Sequence, residues 1–302
     1  MNRFSVLALG LLTLFAAPTA SAQERGIIGV GRLFNNDYFG DGHDRWRSGS
    51  YVASYISAPR PYDGVGQGFG ELLEYRLRGE IIQPSGAAGS SGDRPYVGAL
   101  SVGIHTHYSV GAFDLSVGAD ILAVGPQTGL SRFQRSAHKA FSLPQVRSDN
   151  QIEDDIFLNG TFAATSRIVV SDGVDLRPFA EVRSGAEELV RVGGDVLIGP
   201  IGGADLHLRD VVTGQLYPGT VSHDTGWTLT LGGDMTRVTH SAFLPGSQGY
   251  EVADTLTRTR AGIRYQATNY LHLFYGVTRI SEEYQGQPEG QTVGSLTLNF
   301  TF

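Results

Sequence analysis

Two stretches of the chain carry residues with chemistry in them. The first, FNNDYFGDGHDRWRSGSY (34–51), crowds Asn35, Asn36, Asp37, Asp41, His43, Asp44 and Arg45 into one connection. Carboxylate and amide oxygens this close together suit a hard cation such as calcium. The acidic spacing is not that of an EF-hand loop and the closing Glu is missing, and an Asn/Asp/Gly loop is more often a hairpin turn than a metal site. The second stretch, VGPQTGLSRFQRSAHKAF (124–141), spaces Leu130, Phe133, Ala137 and Phe141 as one face of a helix. Ser131, Gln134 and His138 run beside that face. A neutral imidazole can deprotonate water near neutral pH, although a lone histidine on a surface helix is more often merely solvated. Three features favour a role for His138. The helix is short and isolated, Gly125-Pro126 introduces it, and His138 sits at the edge of the apolar face beside Gln134. If that apolar face rests on the framework beneath, His138 points into the crevice between helix and wall.

The framework that must position these residues is β. The chain ends GSLTLNFTF, with Leu296, Leu298, Phe300 and Phe302 on one strand face and Ser295, Thr297, Asn299 and Thr301 on the other. Apolar outside and polar inside is the dyad of a lipid-exposed barrel strand. The same alternation recurs upstream. Tyr51, Ala53 and Tyr55 oppose Ser48, Ser50 and Ser54. Leu73, Tyr75, Leu77 and Ile81 oppose Glu74, Arg76, Arg78 and Glu80. Phe113 to Ile121, Ile156 to Phe162, Trp227 to Leu231 and Ala261 to Tyr265 repeat it. Four charges on one strand face suit a solvated lumen better than a packed core. Clusters of Gly, Pro, Asp and Ser separate the runs. Hairpin follows hairpin through ten to twelve strands, with no domain linker.

Composition agrees with this reading. The opening MNRFSVLALGLLTLFAAPTASAQ has the basic start, short apolar core and Ala20-Ser21-Ala22 site of a secretory signal peptide, which assigns residues 1–22 to a leader and 23–302 to one barrel domain. Cysteine is absent, which excludes disulfides and thiol chemistry. The formal net charge of −7 argues against a nucleic-acid partner. Mean hydropathy is −0.10, too polar for a helical membrane protein. After the leader no run approaches the roughly 20 apolar residues of a membrane helix.

Taken together, these stretches resemble a known family. FNNDYFGDGHDRWRSGSYVASY is similar to the ND…DR.YT.G motif of the outer-membrane lipid A 3-O-deacylases, the LpxR family. VGPQTGLSRFQRSAH resembles its V-G-P…Q-x-x-x-H segment, QPSGAAGSSGDRPYVGAL its P-S-G…D-R-P-Y-A-G stretch, and DNQIEDDIFLNG its D-N-Q strand. YGVTRISEEYQGQ and GSLTLNF match its closing hairpin. The resemblance covers nearly all of 23–302 in order, most weakly at about 165–250.

The resemblance implies a closed antiparallel transmembrane barrel of about twelve strands in the bacterial outer membrane, with a short helix from an outer loop at the active site. It implies calcium-dependent hydrolysis of the 3′-linked acyl ester of lipid A by a monomer, with lipopolysaccharide and outer-membrane lipids as partners. Carried over by position, the family's Asn-Asp pair falls on Asn36 and Asp37, its small hydroxyl residue on Ser48, and its Gln and catalytic His on Gln134 and His138. Asp37 then holds calcium, His138 activates water, Asn36 and Ser48 position the ester or complete the metal shell, and Gln134 orients the ring or a water. Two positions depart from the pattern. A family lysine has no match near Gly89, and a family Tyr is Arg47, which bears on headgroup contacts. Two other readings remain open here. Ser48 activated by His138 would make a serine-type esterase. A passive, porin-like barrel would also keep the charged strand faces.

Overall fold

A computed structural model describes residues 24–60, 68–85, 93–144, 146, 148–200, 202, 205–221, 224–268 and 271–300. The leader read in residues 1–22, and the position near Gly89, lie outside them. The strands are β1 (Arg25–Asn36), β2 (Trp46–Pro59), β3 (Leu72–Gln83), β4 (Val97–Val110) and β5 (Phe113–Val124). Helix α1 (Leu130–Ala140) follows. Then come β6 (Asp155–Ser166), β7 (Ile168–Ser171), β8 (Val174–Ser184), β9 (Glu187–Ile198), β10 (His207–Arg209) and β11 (Leu216–Pro218), and finally β12 (Gly226–Ser241), β13 (Leu256–Thr268), β14 (Leu271–Ile280) and β15 (Gln291–Phe300).

Twelve of these strands close a single antiparallel barrel. Each pairs with its neighbour in the chain, β15 returns to β1 through Phe34↔Leu296, and β6 meets β8 through Gly160↔Ser184. Closure leaves no sheet edge and pairs the backbone internally, the condition for crossing a bilayer with strands. The short β7 only extends β8. Among the described residues no helix is long and apolar enough to cross a membrane. Both chain ends reach one mouth of the barrel. The connections β1–β2, β3–β4, β5–β6, β12–β13 and β14–β15 crowd the other, called here the loop mouth.

The period-2 reading holds along the wall. Tyr51, Tyr75, Leu77, Ile121, Leu158, Trp227 and Tyr265 stand exposed on the outside, while Glu74, Arg76, Glu80, Asp120, Thr228 and Arg264 are buried inside. The inside is not a solvated channel, however. Its charges are paired and desolvated. Arg76 meets Glu74 at 2.7 Å, and Arg260 spans Asp195 at 2.6 Å and Asp234 at 2.5 Å. The β10–β11 hairpin occupies part of the space between them, with a cavity of about 340 Å³ left between it and wall residues such as Arg76, Arg177 and Glu181. Leu208 and Tyr217 from that hairpin join Leu33, Val52, Ile56, Leu72 and Phe274 from the wall in an internal apolar cluster. A second cluster, with Ile82, Val97, Leu122, Ile152 and Phe243, closes the barrel at the loop mouth.

Candidate active site

The site forms where three loop-mouth elements converge: the end of β1, the start of β2 and α1. Asn36 ends β1 and caps a 3-10 turn (Asp37–Phe39), its Oδ1 accepting from Tyr38 N at 3.0 Å. That turn draws Asp37 inward until it is 0% exposed. Its carbonyl accepts from Gly40, Asp41 and Gly42, and its Oδ2 accepts from Arg45 N at 2.6 Å. The carboxylate is therefore a buried keystone of the connection, not the solvated loop group its neighbours suggest in sequence.

Burial, with the Asp44 and Asp41 carboxylates close by, pushes Asp37 up to about 8 against the Arg45 N–H that favours its anion. Its Oδ1 is buried without a hydrogen-bond partner. Asp41 behaves oppositely. Against the cost of burial, N–H groups of Thr292 and His43 hold it below the usual carboxylate range. His43 is exposed and bonds Asp41 at 3.1 Å, which makes it a turn residue.

Ser48 reaches the site through a bulge. Trp46 pairs with Gln83 and Gly49 with Ile81, so β2 carries one extra residue between them. Such a bulge re-aims side chains. Here Arg47 turns into the barrel and Ser48 toward the loop, both buried. Arg47 contacts Glu80 at 2.6 Å, Glu283 at 2.7 Å and Glu187 at 3.3 Å, so it is an internal ion-pair hub and not a headgroup contact. Ser48 Oγ donates to Asp44 Oδ1.

Helix α1 lies close against β4 because Gly98 leaves room. A Cβ there would come within 2.7 Å of Thr128 Oγ1 and 3.1 Å of Leu130 Cβ. Gly129, at φ 71°, turns the chain into the helix. The helix is where the sequence analysis places it, and His138 is buried against the wall as expected, but the helix is turned so that only part of its apolar face packs, with Leu130 and Ala137 half-buried. Ser131, Gln134 and His138 are its buried residues, while Phe133 is 66% and Phe141 76% exposed. Hydrogen bonds set this orientation. Tyr96 OH donates to Gln134 Oε1 at 3.0 Å, Gln134 Nε2 donates to Gln83 Oε1 at 3.1 Å, and Gln83 Nε2 donates to Asp44 O at 2.6 Å. Burial pushes the Tyr96 phenol up, which keeps it a donor. Polar groups anchored in this way face the protein, and the aromatic face is left toward the lipid side.

His138 Nδ1 lies 2.6 Å from Pro144 O. A carbonyl only accepts, so Nδ1 carries the proton, and Nε2 is the nitrogen available to the site. Nε2 stands 3.2 Å from Asp44 Oδ2. Asp44 thus bridges Ser48 and His138, and Ser48 Oγ makes no bond to the imidazole. Asn36, Asp37, Ser48, Gln134 and His138 all gather around this loop, while Lys139 is exposed. Sequence reasoning missed the bridging role of Asp44 and the anchors Tyr96 and Gln83. Asp44 sits beside Arg45 in the acidic loop and could have been singled out; the two anchors lie within the stretch QPSGAAGSSGDRPYVGAL already matched to the family, Gln83 at its start and Tyr96 in its DRPY, and could have been found there.

A closed antiparallel barrel with a polar interior and an apolar outer wall is the architecture of outer-membrane proteins. The chain matches the sequence profile of the family described as outer membrane protein LpxR over residues 6–302, and it belongs to that family. It is a protein of the outer membrane. Among solved structures it is similar to LpxR from Salmonella typhimurium, with TM-score 0.74 and 16% identity over 91% of this chain and 100% of that one. More distant are the NanC porin (TM-score 0.43, 6% identity, 91% and 100% covered) and the β domain of the Bordetella autotransporter BrkA (TM-score 0.39, 9% identity, 91% and 100% covered). No curated protein sequence matches the chain.

Proposed function

We propose that the protein is a calcium-dependent lipid A deacylase, hydrolysing the 3′-linked acyl ester at the loop mouth with water as the nucleophile. The observation that carries this reading is the His138–Asp44–Ser48 chain standing beside the orphaned carboxyl oxygen of Asp37. Family membership supports it.

His138 Nε2 takes the proton of the attacking water, since Nδ1 is committed to Pro144. Asp44 Oδ2 stands 3.2 Å from that same nitrogen, so the water must first take its place at Nε2, with the carboxylate moving aside to accept the water's second hydrogen while Ser48 holds its other oxygen; the nearby negative charge then favours the imidazolium. Gln134, fixed by Tyr96 and Gln83, holds the helix turn that carries His138 in register. Asn36 and Ser48 keep the rim in shape around the ester.

The residues fit calcium. A buried carboxyl with an unpartnered oxygen and two acidic neighbours lacks only a cation. Among the described residues no three acidic or histidine side chains form a ready cage, so Asp37 would hold the ion with oxygens of its own loop. When bound, calcium polarises the ester carbonyl and takes up the oxyanion charge. The exposed aromatic face of α1, with Phe133 and Phe141, suits the acyl chains of a membrane-embedded substrate.

The loop mouth then faces outward, and the enzyme works as a monomer. The test is mass spectrometry of lipid A from cells lacking such an enzyme, expressing this chain with and without calcium. Loss of one acyl chain only with calcium is expected. Unchanged lipid A under both conditions would defeat the proposal.

A further inference from the structure

The connection between β9 and β12 does something no simple turn requires. It starts at the mouth where the chain ends lie, yet its hairpin runs up inside the barrel and ends beneath the site. The lumen-facing residues of β1 trace its path. A Cβ on Gly29 would come within 2.1 Å of Gly219 O, and one on Gly31 within 2.6 Å of Pro218 O. Leu33 packs in the cluster with Leu208 and Tyr217. Asn35, the next position on that face, meets the tip, its Nδ2 donating to Asp210 Oδ2 at 3.1 Å. Two glycines, a leucine and an asparagine at period 2 thus make a track for the hairpin.

The far side is gripped as firmly. Gln215 Nε2 donates to Ala261 O at 3.2 Å and Val277 O at 3.1 Å, in the space left by Gly262 and Gly276. Arg191 donates to Val211 O at 3.0 Å and Arg258 to Val212 O at 2.9 Å. Within the tip, Asp210 Oδ2 also accepts from Val212 N, Thr213 N and Thr213 Oγ1, at 3.1, 2.7 and 2.8 Å. The carboxylate is therefore fixed before it meets Asn35.

Asn35 is 1% exposed and tied to three elements at once: β2 through Ser50 Oγ at 2.9 Å, β15 through Ser295 Oγ at 2.6 Å, and the hairpin through Asp210. The next two residues are Asn36 and Asp37.

We propose that the β10–β11 hairpin is an internal strut, and that Asp210 is a positioning residue which, by gripping Asn35, holds the rim carrying Asn36 and Asp37. The strut rests on no assignment of the reaction; only its activity readout rests on the deacylase reading. It also means that the site is braced from the opposite mouth, along the β1 side of the lumen.

The experiment compares wild type with Asp210→Ala, Asp210→Asn, Asn35→Asp and Gly29→Val, each taken as the folded barrel separated by its heat-modifiable migration. Hydrogen–deuterium exchange reads the amides of Gly40, Asp41, Gly42 and Arg45, which bond to Asp37. Asp210→Ala is expected to speed their exchange about tenfold or more, as the loss of one charge-assisted hydrogen bond implies, while the wall strands keep their protection. Asp210→Asn keeps an accepting oxygen and should largely restore the wild-type pattern. Asn35→Asp sets a second carboxylate against Asp210 and leaves the tip intact, so it decides the matter if Asp210→Ala does not fold. Gly29→Val should displace the hairpin and speed the same amides. In lipid A assays the kcat of Asp210→Ala should fall with KM little changed. Wild-type exchange at these amides in folded Asp210→Ala, or in folded Asn35→Asp, would overturn the strut. A wild-type protein that releases no acyl chain would defeat only the proposed reaction, because the exchange readout does not use it.

Discussion

If Asp37 holds calcium as proposed, protons and the ion must compete for its carboxyl, and that competition is measurable. Burial and its acidic neighbours raise it from 3.8 to about 8 in the ion-free protein. At neutral pH it therefore holds a proton that a cation must displace. One displaced proton weakens apparent calcium affinity about tenfold for each pH unit below 8, so about a hundredfold between pH 7.5 and 5.5. The sign for stability follows from the same shift. The folded state binds this proton more tightly than the unfolded chain, so the ion-free barrel loses stability as pH rises from about 4 toward 8. Under the proposed assignment, added calcium should reverse the loss by supplying a positive charge beside the carboxylate. Isothermal titration of the detergent-solubilised barrel at pH 5.5, 6.5 and 7.5 measures the slope, and thermal melts without calcium measure the sign. Asp37→Asn keeps the shape of the side chain and its acceptor for Arg45 N, and should lose both the slope and most of the affinity. Wild-type calcium affinity that is flat across this range would refute the assignment of Asp37 as the principal ligand.

Other expectations follow from the same geometry. His138→Ala should cost on the order of 10²–10⁴-fold in turnover, with His138→Asn nearly as damaging and His43→Ala mild, measured on lipid A at saturating calcium. Ser48→Ala should keep partial activity, because its hydroxyl serves Asp44 and not the imidazole; complete loss with an intact barrel would favour the serine-esterase reading. Arg47→Met should lower stability by about 1.5–3 kcal/mol in urea titrations, since Glu80 and Glu283 lose one charged partner but keep Arg78 and Arg94. In planar bilayers the wild-type barrel should conduct poorly because the hairpin obstructs it, and Gly29→Val should raise conductance; wild-type currents of an open porin would contradict the obstructed lumen.

The wall and the site were legible in sequence for different reasons. The wall was legible because lipid outside and polar contents inside impose a period of two on the spanning strands, which residues such as Tyr75 and Glu74 obey and only local bulges such as that at Arg47 interrupt. The candidate site residues were legible because the acidic loop and the helix each concentrate their chemistry in a short run. What escaped was whatever depended on distant partners. The aromatic face of α1 reads as a face to be buried, because in water it would be. Beside a membrane the lipid satisfies that face, and the three-step chain from Tyr96 through Gln134 and Gln83 to Asp44 turns the polar face inward. The charged strand faces read as a solvated lumen, because nothing in Glu74 or Arg76 tells whether water or a second segment of the chain lies opposite. The deciding residues were the ones without side chains. Gly29, Gly31, Gly262 and Gly276 look like weak spots in their strands; at Gly29, Gly31 and Gly276 the hairpin or its Gln215 side chain comes too close for a Cβ, and at Gly262 the Phe274 ring does. A glycine at a lumen position therefore marks a close neighbour inside, a side chain of the adjoining wall strand at Gly103 and Gly118 and the hairpin at Gly29 and Gly31, where two at period 2 mark the line along which it runs.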